Sequence, residues 1–153
     1  MSPRAAWRLE AAGFGPVYDY VDGKADWLAA DLPFEGTAQL AGMFTRREVA
    51  TASESTPVPE ALGRVREREF GPVLVLNHAG VVMGTVRRDE LESAAPETEA
   101  GALLRFGVST VRPSEQVAEL VRRMRRAQVS RVVVTRSDGT LVGLFFAGDV
   151  SEA

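Results

Sequence analysis

The sequence contains no cysteine and only one histidine among its 153 residues. The absence of cysteine excludes disulfide bonds, thiolate metal sites and a cysteine nucleophile. A single histidine argues against a zinc enzyme, because such sites usually take several His or Cys ligands. The chain also lacks an evident nucleophile–base pair, a pair of acid/base carboxylates and a glycine-rich phosphate loop. We therefore expect a protein that is not an enzyme and holds no metal.

Long apolar runs are missing as well. No stretch approaches the roughly 18 apolar residues that a membrane-spanning helix needs, and the N-terminal residues lack the apolar core of a secretory signal. We therefore expect a cytoplasmic protein without membrane association. The formal net charge of −3 argues against nucleic acid as the main partner, because such proteins are usually basic.

What the chain does have is an internal repeat. The stretch VLVLNHAGVVMGTVRRDEL (73–91) aligns without a gap on VVVTRSDGTLVGLFFAGDV (132–150), 59 positions later. Two glycines and a terminal acid stay in register: Gly80 on Gly139, Gly84 on Gly143 and Glu90 on Asp149. The match extends outward to 48–91 and 107–150. A repeat of this kind determines the architecture before any other feature does.

Each copy carries the same succession of local signals, which predicts a β-α-β-β-α unit and an α+β fold. An extended piece near Thr51 or Thr110 precedes an amphipathic helix, for which Ser114 and Glu115 suit the start in the second copy. Two β-branched strands joined by a glycine turn follow, and a short helix ends the unit. The predicted strands are 73–76, 81–86, 131–135 and 140–146. A unit of this size buries too little core alone, so we expect the two copies to pack sheet to sheet.

The predicted division of the chain has four parts. They are an N-terminal extension (1–37), unit one (38–93), a linker (94–101) and unit two (102–153). The linker is acidic and rich in small residues, which is typical of a surface connection, and residues 102–106 are expected to form a short helix. In the extension we expect a helix ended by Gly13, a strand at 16–21 and a second helix that starts at Gly23 and stops before Pro33.

The repeat resembles the CBS domain, the cystathionine-β-synthase-type module that occurs as tandem pairs. The motifs that carry the likeness are clearest in the second copy: TVRPS (110–114), VSRVVV (129–134), DGTLVG (138–143) and Asp149. The first copy keeps Thr51, Gly80, Gly84 and Glu90. The resemblance implies a regulatory module that binds AMP, ADP, ATP or S-adenosylmethionine in clefts between the copies.

The resemblance also implies the residues that would hold such a ligand. Glu90 and Asp149 stand where the family's acid accepts hydrogen bonds from ribose, and backbone segments at 70–72 and 129–131 would enclose adenine. The family's phosphate-binding hydroxyl is replaced in both copies, by Arg87 and by Phe146; an arginine can bind phosphate, and a ring can stack on a base. The candidate site residues are Thr51, Pro72, Arg87, Glu90, Thr110, Val129, Arg131, Phe146 and Asp149. We favour the cleft that combines Arg87 with Glu90; the alternative is that both acids only cap or pair at short helices.

Two kinds of function follow from the resemblance. The favoured one is ligand sensing, in which a bound adenosine-type nucleotide shifts the placement of the two copies and an unidentified partner protein responds. The alternative is a ligand-free scaffold for dimerisation or interaction, with degenerate clefts filled by its own side chains. In either case we expect a homodimer through the CBS helices. The arginines of 120–131 then form a solvated helix face or pair across the dimer with acids such as Glu60 or Glu119.

The first residues have their own resemblance. Asp22-Gly23, Trp27 and Leu32-Pro33 resemble the C-terminal end of a rhodanese (sulfurtransferase) domain, but without cysteine the chain cannot transfer sulfur. Five of the eleven aromatic residues fall within this segment: Trp7, Phe14, Tyr18, Tyr20 and Trp27. We expect them to pack on the CBS pair or on a second subunit.

Overall fold

The computed structural model describes residues 3–67 and 71–150, and within them the sequence repeat is a repeat of structure. Three short 3₁₀ helices, at Ala41–Phe44, Ala100–Leu103 and Ala147–Asp149, accompany the main elements. The other described elements, in chain order, are α1 (Pro3–Ala11), α2 (Gly23–Ala29), β1 (Thr51–Ala52), α3 (Val58–Glu67), β2 (Val73–Leu76), β3 (Val82–Val86), α4 (Arg88–Ser93), β4 (Thr110–Val111), α5 (Val117–Arg126), β5 (Arg131–Thr135) and β6 (Leu141–Phe146). The mixed helix and strand content with two small sheets agrees with the predicted α+β class.

The two sheets have the same order and the same register. One is ordered β1-β2-β3 and the other β4-β5-β6, each with a parallel pair followed by an antiparallel pair. Thr51 pairs with Leu74 in the first sheet, and Thr110 pairs with Val133 in the second, so both partners shift by the 59 residues of the repeat. The glycine turns join the antiparallel strands, and Gly80 and Gly139 adopt the positive φ that such a turn requires.

The segment that leads into each copy packs against the other copy. The backbone of Arg46 exchanges two hydrogen bonds with Leu144 of β6, at 2.8 and 2.9 Å, and the backbone of Arg105 does the same with Thr85 of β3. This exchange explains the repeated glycine in these strands. A Cβ on Gly84 or Gly143 would lie closer than 3.0 Å to the backbone oxygen of the arriving arginine, so only glycine admits the crossing segment.

Three apolar clusters hold the fold together. One lies between helix and sheet in each copy, and each includes a residue of the crossing segment: Ala100 in the cluster of copy one and Ala41 in that of copy two. The third cluster joins the sheets through Leu74, Val133 and Leu144, all nearly or fully buried. Each copy thus depends on the other for part of its core, in line with the expectation that neither is large enough alone.

The N-terminal extension differs from its prediction in one element. Helix α1 ends before Gly13, which has a φ of +88°, but residues 16–21 form no strand and the strand prediction is wrong. A strand needs a neighbouring strand for its backbone groups, and Pro16 offers no N–H to one. Helix α2 also ends earlier than predicted, at Ala29.

Helix α2 anchors the extension to the second copy. The carboxylate of Asp26, 7% exposed, accepts a 2.9 Å hydrogen bond from Ser137 and lies 3.5 Å from Arg136. Ala29 joins the core of copy two, and its carbonyl accepts a hydrogen bond from Arg47. The anchoring contacts are therefore polar as well as apolar.

Two smaller expectations are corrected. Helix α5 begins at Val117, its N-cap residue is Gln116, and no side chain caps it. Ser114 is therefore not its cap, and Glu115 pairs with Arg123. The short helix predicted at 102–106 begins earlier, as the 3₁₀ helix Ala100–Leu103. Ala100 is fully buried, and its backbone N–H donates to the carbonyl of Thr56. This segment therefore fills part of the core of copy one and does not lie on the surface.

Candidate ligand-binding cleft

A cavity of about 880 Å³ opens between the two copies. Its floor is the seam where Leu144 of β6 meets Val133 of β5, and its walls come from the end of β3, from the segment after Arg105 and from α5. The volume lies within the range of about 300–1,000 Å³ found for small-molecule and cofactor sites. The residues that line the cavity include Pro72, Arg87, Arg105, Phe106, Val108, Thr110, Arg112, Glu115, Arg123, Met124, Val129 and Arg131.

Five of the nine residues predicted from the sequence line this cavity. They are Pro72, Arg87, Thr110, Val129 and Arg131. The other four do not line it: Thr51, Glu90, Phe146 and Asp149. Of the backbone segment expected at 70–72, Phe70 lies outside the described residues. The cavity is therefore the cleft that contains Arg87, and Glu90 lies outside its lining.

The charge of the cavity wall is strongly positive. Five arginines line it, against a single carboxylate, Glu115: Arg87, Arg105, Arg112, Arg123 and Arg131. Glu115 lies 2.5 Å from Arg123, and this hydrogen bond raises the pKa of Arg123 above its usual value. Arg131 makes no side-chain hydrogen bond or ion pair with residues 3–67 and 71–150 and is exposed. A wall of this composition attracts an anion.

Glu90 organises one side of this wall. One oxygen of its carboxylate accepts a 2.9 Å hydrogen bond from the backbone N–H of Arg87, at the start of α4. The other accepts a 2.5 Å hydrogen bond from Nε of Arg105. The hydrogen bond from the Arg87 amide contributes most to lowering the pKa of Glu90 below its usual value, and the bond from Arg105 adds to it. Glu90 therefore holds Arg105 at the cavity, while Arg87 pairs with Asp89 beside it.

The equivalent positions of the other copy carry a different arrangement. Asp149, the counterpart of Glu90, binds Arg46 through two hydrogen bonds of 2.7 and 2.5 Å. The bond to Asp149 raises the pKa of Arg46. The guanidinium of Arg46 also lies 4.9 Å from the ring centre of Phe146, a distance typical of cation–π contacts. Phe146, expected to stack on a base, stacks on an arginine of the same chain in this structure.

Thr51 belongs to β1 of copy one and pairs with Leu74 of β2. Its carbonyl accepts a 2.7 Å hydrogen bond from Arg64 of α3. Its counterpart Thr110 lines the cavity, as does Arg123, the counterpart of Arg64. Phe70, the counterpart of Val129 at the spacing of 59, lies outside the described residues.

Several residues of the cavity were not foreseen from the sequence. Arg105 could have been found, because it repeats Arg46 at the spacing of 59 and faces the repeated acid. Arg123 was interpreted as part of a solvated helix face, and nothing in the sequence places it toward a cleft. Arg112, whose guanidinium donates to Thr135, and the apolar wall of Val108 and Met124 depend on how the two copies meet.

Comparison with known families settles the class of the protein. The family described as the CBS domain matches residues 39–97 and 101–153. The chain therefore belongs to the CBS domain family and carries a tandem pair, as the motifs predicted. CBS pairs are regulatory modules, and we describe the chain as one. These matches begin at residue 39, so they give no support to a rhodanese-like extension.

Among curated proteins the chain is similar to the 5'-AMP-activated protein kinase subunit gamma-3 of Bos taurus. The identity is 31% over 130 residues, which cover 76% of this chain and 26% of that protein. The Homo sapiens protein of the same name is 30% identical, with 76% and 27% covered. The chain thus spans about a quarter of the length of these relatives.

Among solved structures the fold is similar to two proteins solved in complex with a nucleotide. One is the cytosolic domain of the Mg2+ channel MgtE in complex with ATP, with a TM-score of 0.65, 23% identity, and 72% of this chain and 46% of that chain covered. The other is CBSX2 in complex with AMP, with a TM-score of 0.62, 20% identity, and 73% and 93% covered. At this identity the likeness shows a shared fold. In the described part of this chain no helix is long and apolar enough to span a membrane.

Proposed function

We propose that this CBS pair senses an adenosine nucleotide, bound in the cleft between its two copies. The observation that carries the proposal is the cavity of about 880 Å³ with five arginines and one carboxylate on its wall. A site of that size and charge suits a ligand with an apolar body and several negative charges. Bound nucleotide would shift the relative placement of the copies, and a partner protein would respond.

The phosphate groups would bind to Arg87, Arg105 and Arg131. A guanidinium forms paired hydrogen bonds with phosphate oxygens, and these three line the cavity. Arg131 has no competing ion pair among the described residues. Arg105 is already oriented by Glu90, so its position costs the ligand little ordering. Glu90 then acts by holding this arginine at the cavity.

The base would lie against the apolar wall, which includes Val108, Met124 and Val129. Backbone groups next to Thr110 and Val129 would supply its hydrogen bonds, as the family resemblance implies. A purine is flat and has polar edges, so it needs an apolar surface and a few polar partners. The cleft offers both kinds of contact within one cavity.

The charge of the wall favours nucleotides over S-adenosylmethionine. The sulfonium of S-adenosylmethionine is a cation, and like charges in a partly desolvated site repel. AMP, ADP and ATP carry increasing negative charge and would gain from the same arginines. Support also comes from the relatives, one named as a subunit of an AMP-activated kinase and two whose structures hold ATP or AMP.

The test measures binding of AMP, ADP, ATP and S-adenosylmethionine by isothermal titration calorimetry and thermal shift. At a hundredfold excess over Kd, a nucleotide should stabilise the fold by about 2.7 kcal/mol, or roughly 5–10 °C in Tm. Arg105→Ala should raise Kd at least tenfold, about 1.4 kcal/mol. Arg46→Ala is the matched control, because it breaks the equivalent pair with Asp149 and Arg46 does not line the cavity.

A ligand-free scaffold is the second candidate. It is favoured by the contact in which Arg46 stacks on Phe146 and binds Asp149, since there the chain's own side chains satisfy one another. No binding and no change in Tm with any nucleotide at millimolar concentration would support the scaffold and overturn the sensing proposal. Equal losses of affinity in Arg105→Ala and Arg46→Ala would contradict the assignment of the site.

A further inference from the structure

Both carboxylate oxygens of Glu90 are already engaged by groups of the chain itself. Oε2 accepts a 2.9 Å hydrogen bond from the backbone N–H of Arg87. Oε1 lies 2.5 Å from both Nε and Nη2 of Arg105, so one guanidinium occupies this oxygen from two sides. The side chain of Glu90 is only 22% exposed and does not line the cavity. The acid that the family resemblance assigns to ribose is therefore bound to an arginine in this structure.

A ribose hydroxyl would have to compete with Arg105 for this acid. The bond between a guanidinium and a carboxylate joins two charged groups, and such bonds are stronger than those between neutral groups. The backbone of Arg105 is also fixed, because it exchanges two hydrogen bonds with the backbone of Thr85 in β3. Holding the guanidinium near Glu90 therefore costs little further ordering, and a ligand hydroxyl gains nothing by displacing it.

The other side-chain acceptors on the cavity wall are occupied or neutral. Among the described residues that line the cavity, the one carboxylate is that of Glu115, and its Oε1 lies 2.5 Å from Nη1 of Arg123. Side-chain hydroxyls come from Thr85, Ser109 and Thr110. A ribose hydroxyl that leaves water for one of these exchanges one neutral hydrogen bond for another. Removal of the sugar hydroxyls should therefore cost a ligand little affinity.

Phosphate groups meet the opposite situation. Arg87 is paired with Asp89, but 56% and 64% of these two side chains are exposed, and an exposed ion pair contributes little. A phosphate can therefore take the place of Asp89. Arg105 keeps N–H groups that Glu90 does not use, and Arg131 is exposed at the cavity. In the part of the chain that the structure describes, the cleft thus offers donors to anionic oxygens but no unengaged acid to hydroxyls.

We propose that the cleft binds deoxyadenosine nucleotides as tightly as adenosine nucleotides, because it contacts the phosphates and the base but not the ribose hydroxyls. This specificity rests on the proposed function, namely that a nucleotide binds in the cleft, and it defines the class of nucleotide that the site accepts. The observation that carries it is the engagement of both oxygens of Glu90. Glu90 is then a positioning residue, which acts on the ligand through Arg105.

Isothermal titration calorimetry with ATP and with dideoxy-ATP, which lacks both ribose hydroxyls, tests this specificity. The two Kd values should differ by less than about fivefold, whereas an acid that accepts hydrogen bonds from ribose contributes roughly tenfold or more. If ATP binds about fivefold or more tightly than dideoxy-ATP, the proposed specificity is overturned and nucleotide sensing stands. If neither compound binds at millimolar concentration, nucleotide sensing fails and the specificity fails with it.

Glu90→Ala separates a positioning role from direct contact with ribose. The variant should change the Kd of ATP and that of dideoxy-ATP by the same factor, within about twofold, because changes at groups that do not touch one another add. A loss of affinity confined to ATP would show that Glu90 contacts ribose and would overturn the proposal. Glu90→Gln, which keeps the shape of the side chain, should give the same result if Glu90→Ala does not fold.

Asp149→Ala is the matched control. Asp149 repeats Glu90 at the spacing of 59 and pairs with Arg46, but neither of these two residues lines the cavity. The variant should leave both Kd values within about twofold of the original, because the contact that it breaks lies outside the site. A loss of ATP affinity in Asp149→Ala with none for dideoxy-ATP would place the ribose at the other acid and overturn the proposal. Circular dichroism and Tm without ligand verify that each variant is folded.

Discussion

The two copies place the same acid–arginine pair in two different settings. In one, Glu90 holds Arg105 at a cavity that Arg87 also lines. In the other, Asp149 holds Arg46 against the ring of Phe146. Position 87 carries arginine, and the equivalent position 146 carries phenylalanine. The guanidinium of Arg105 therefore lies at a wall with further cations, whereas that of Arg46 contacts an aromatic ring. Two copies with the same strand order and register can therefore carry one site that attracts an anion and one whose side chains pair with each other.

The largest expected effect concerns the seam that both halves share. Leu74 is fully buried between the sheets, and Leu74→Ala should destabilise the fold by about 3 kcal/mol, since it leaves a cavity. Urea unfolding measures this loss of free energy, and thermal unfolding should show a fall in Tm of roughly 6–12 °C. Leu76→Ala, a half-buried position of the same strand, is the control and should cost about half as much. Equal losses would mean that the seam is no more tightly packed than the strand end.

The crossing segments can be compared directly in the two copies. Gly84→Ala and Gly143→Ala should each destabilise the fold by about 1–3 kcal/mol, because the new methyl group meets a backbone oxygen that has nowhere to move. Gly63→Ala is the control, since Gly63 lies within α3 with open space around it, and it should stabilise by about 0.5–1 kcal/mol. If Gly84→Ala and Gly143→Ala were both neutral, the conclusion that the lead-in segments cross between the copies would be wrong.

The stacking of Arg46 on Phe146 should contribute less. Phe146→Leu removes the ring and should cost about 0.5–1 kcal/mol, as expected for a partly exposed cation–π contact. Phe106→Leu, at the rim of the cavity and 73% exposed, should change unfolding by less than about 0.5 kcal/mol. Nucleotide affinity should stay unchanged in Phe146→Leu. An affinity that fell with Phe146 would transfer the proposed site to the other cleft.

The smallest effect is a dependence of stability on pH at Glu90. Because its hydrogen bonds hold the pKa of Glu90 below the usual value, the carboxylate stabilises the fold above about pH 4.3, the usual pKa of Glu. That contribution is lost as the pH falls through the lowered folded-state pKa. The Tm difference between the original chain and Glu90→Gln should therefore narrow between about pH 4.3 and pH 3. Glu92→Gln, in the same helix, serves as the control. A difference that stays constant down to pH 3 would contradict the role of Glu90.

Much of the fold was predictable, because the signals that specify it are local and occur twice. Strands 73–76 and 131–135 were predicted with the bounds that the structure has, and the glycines of both turns have the required positive φ. The extension was harder. Residues 16–21 are rich in Val and Tyr, which favour strands, yet no neighbouring strand pairs with them in the described structure, and local composition cannot reveal whether a partner exists.

The site was predictable only in part. Motif positions led to Arg87, Thr110, Val129 and Arg131, all of which line the cavity. The role of Glu90 was expected to be direct, whereas in the structure its carboxylate holds Arg105. That pairing depends on a segment arriving from the start of the other copy, which a motif confined to one copy does not contain.

By itself the sequence determined that there are two equivalent units, that neither can form a complete core alone, and that cysteine chemistry is excluded. These conclusions follow from composition and from the internal repeat, which can both be seen in the sequence without knowing any distance in space. Only the tertiary structure decided which segment completes which core, which arginines face a common cavity and which acid is already paired. Those outcomes depend on distances between residues far apart in sequence, set when the two sheets pack and the lead-in segments cross.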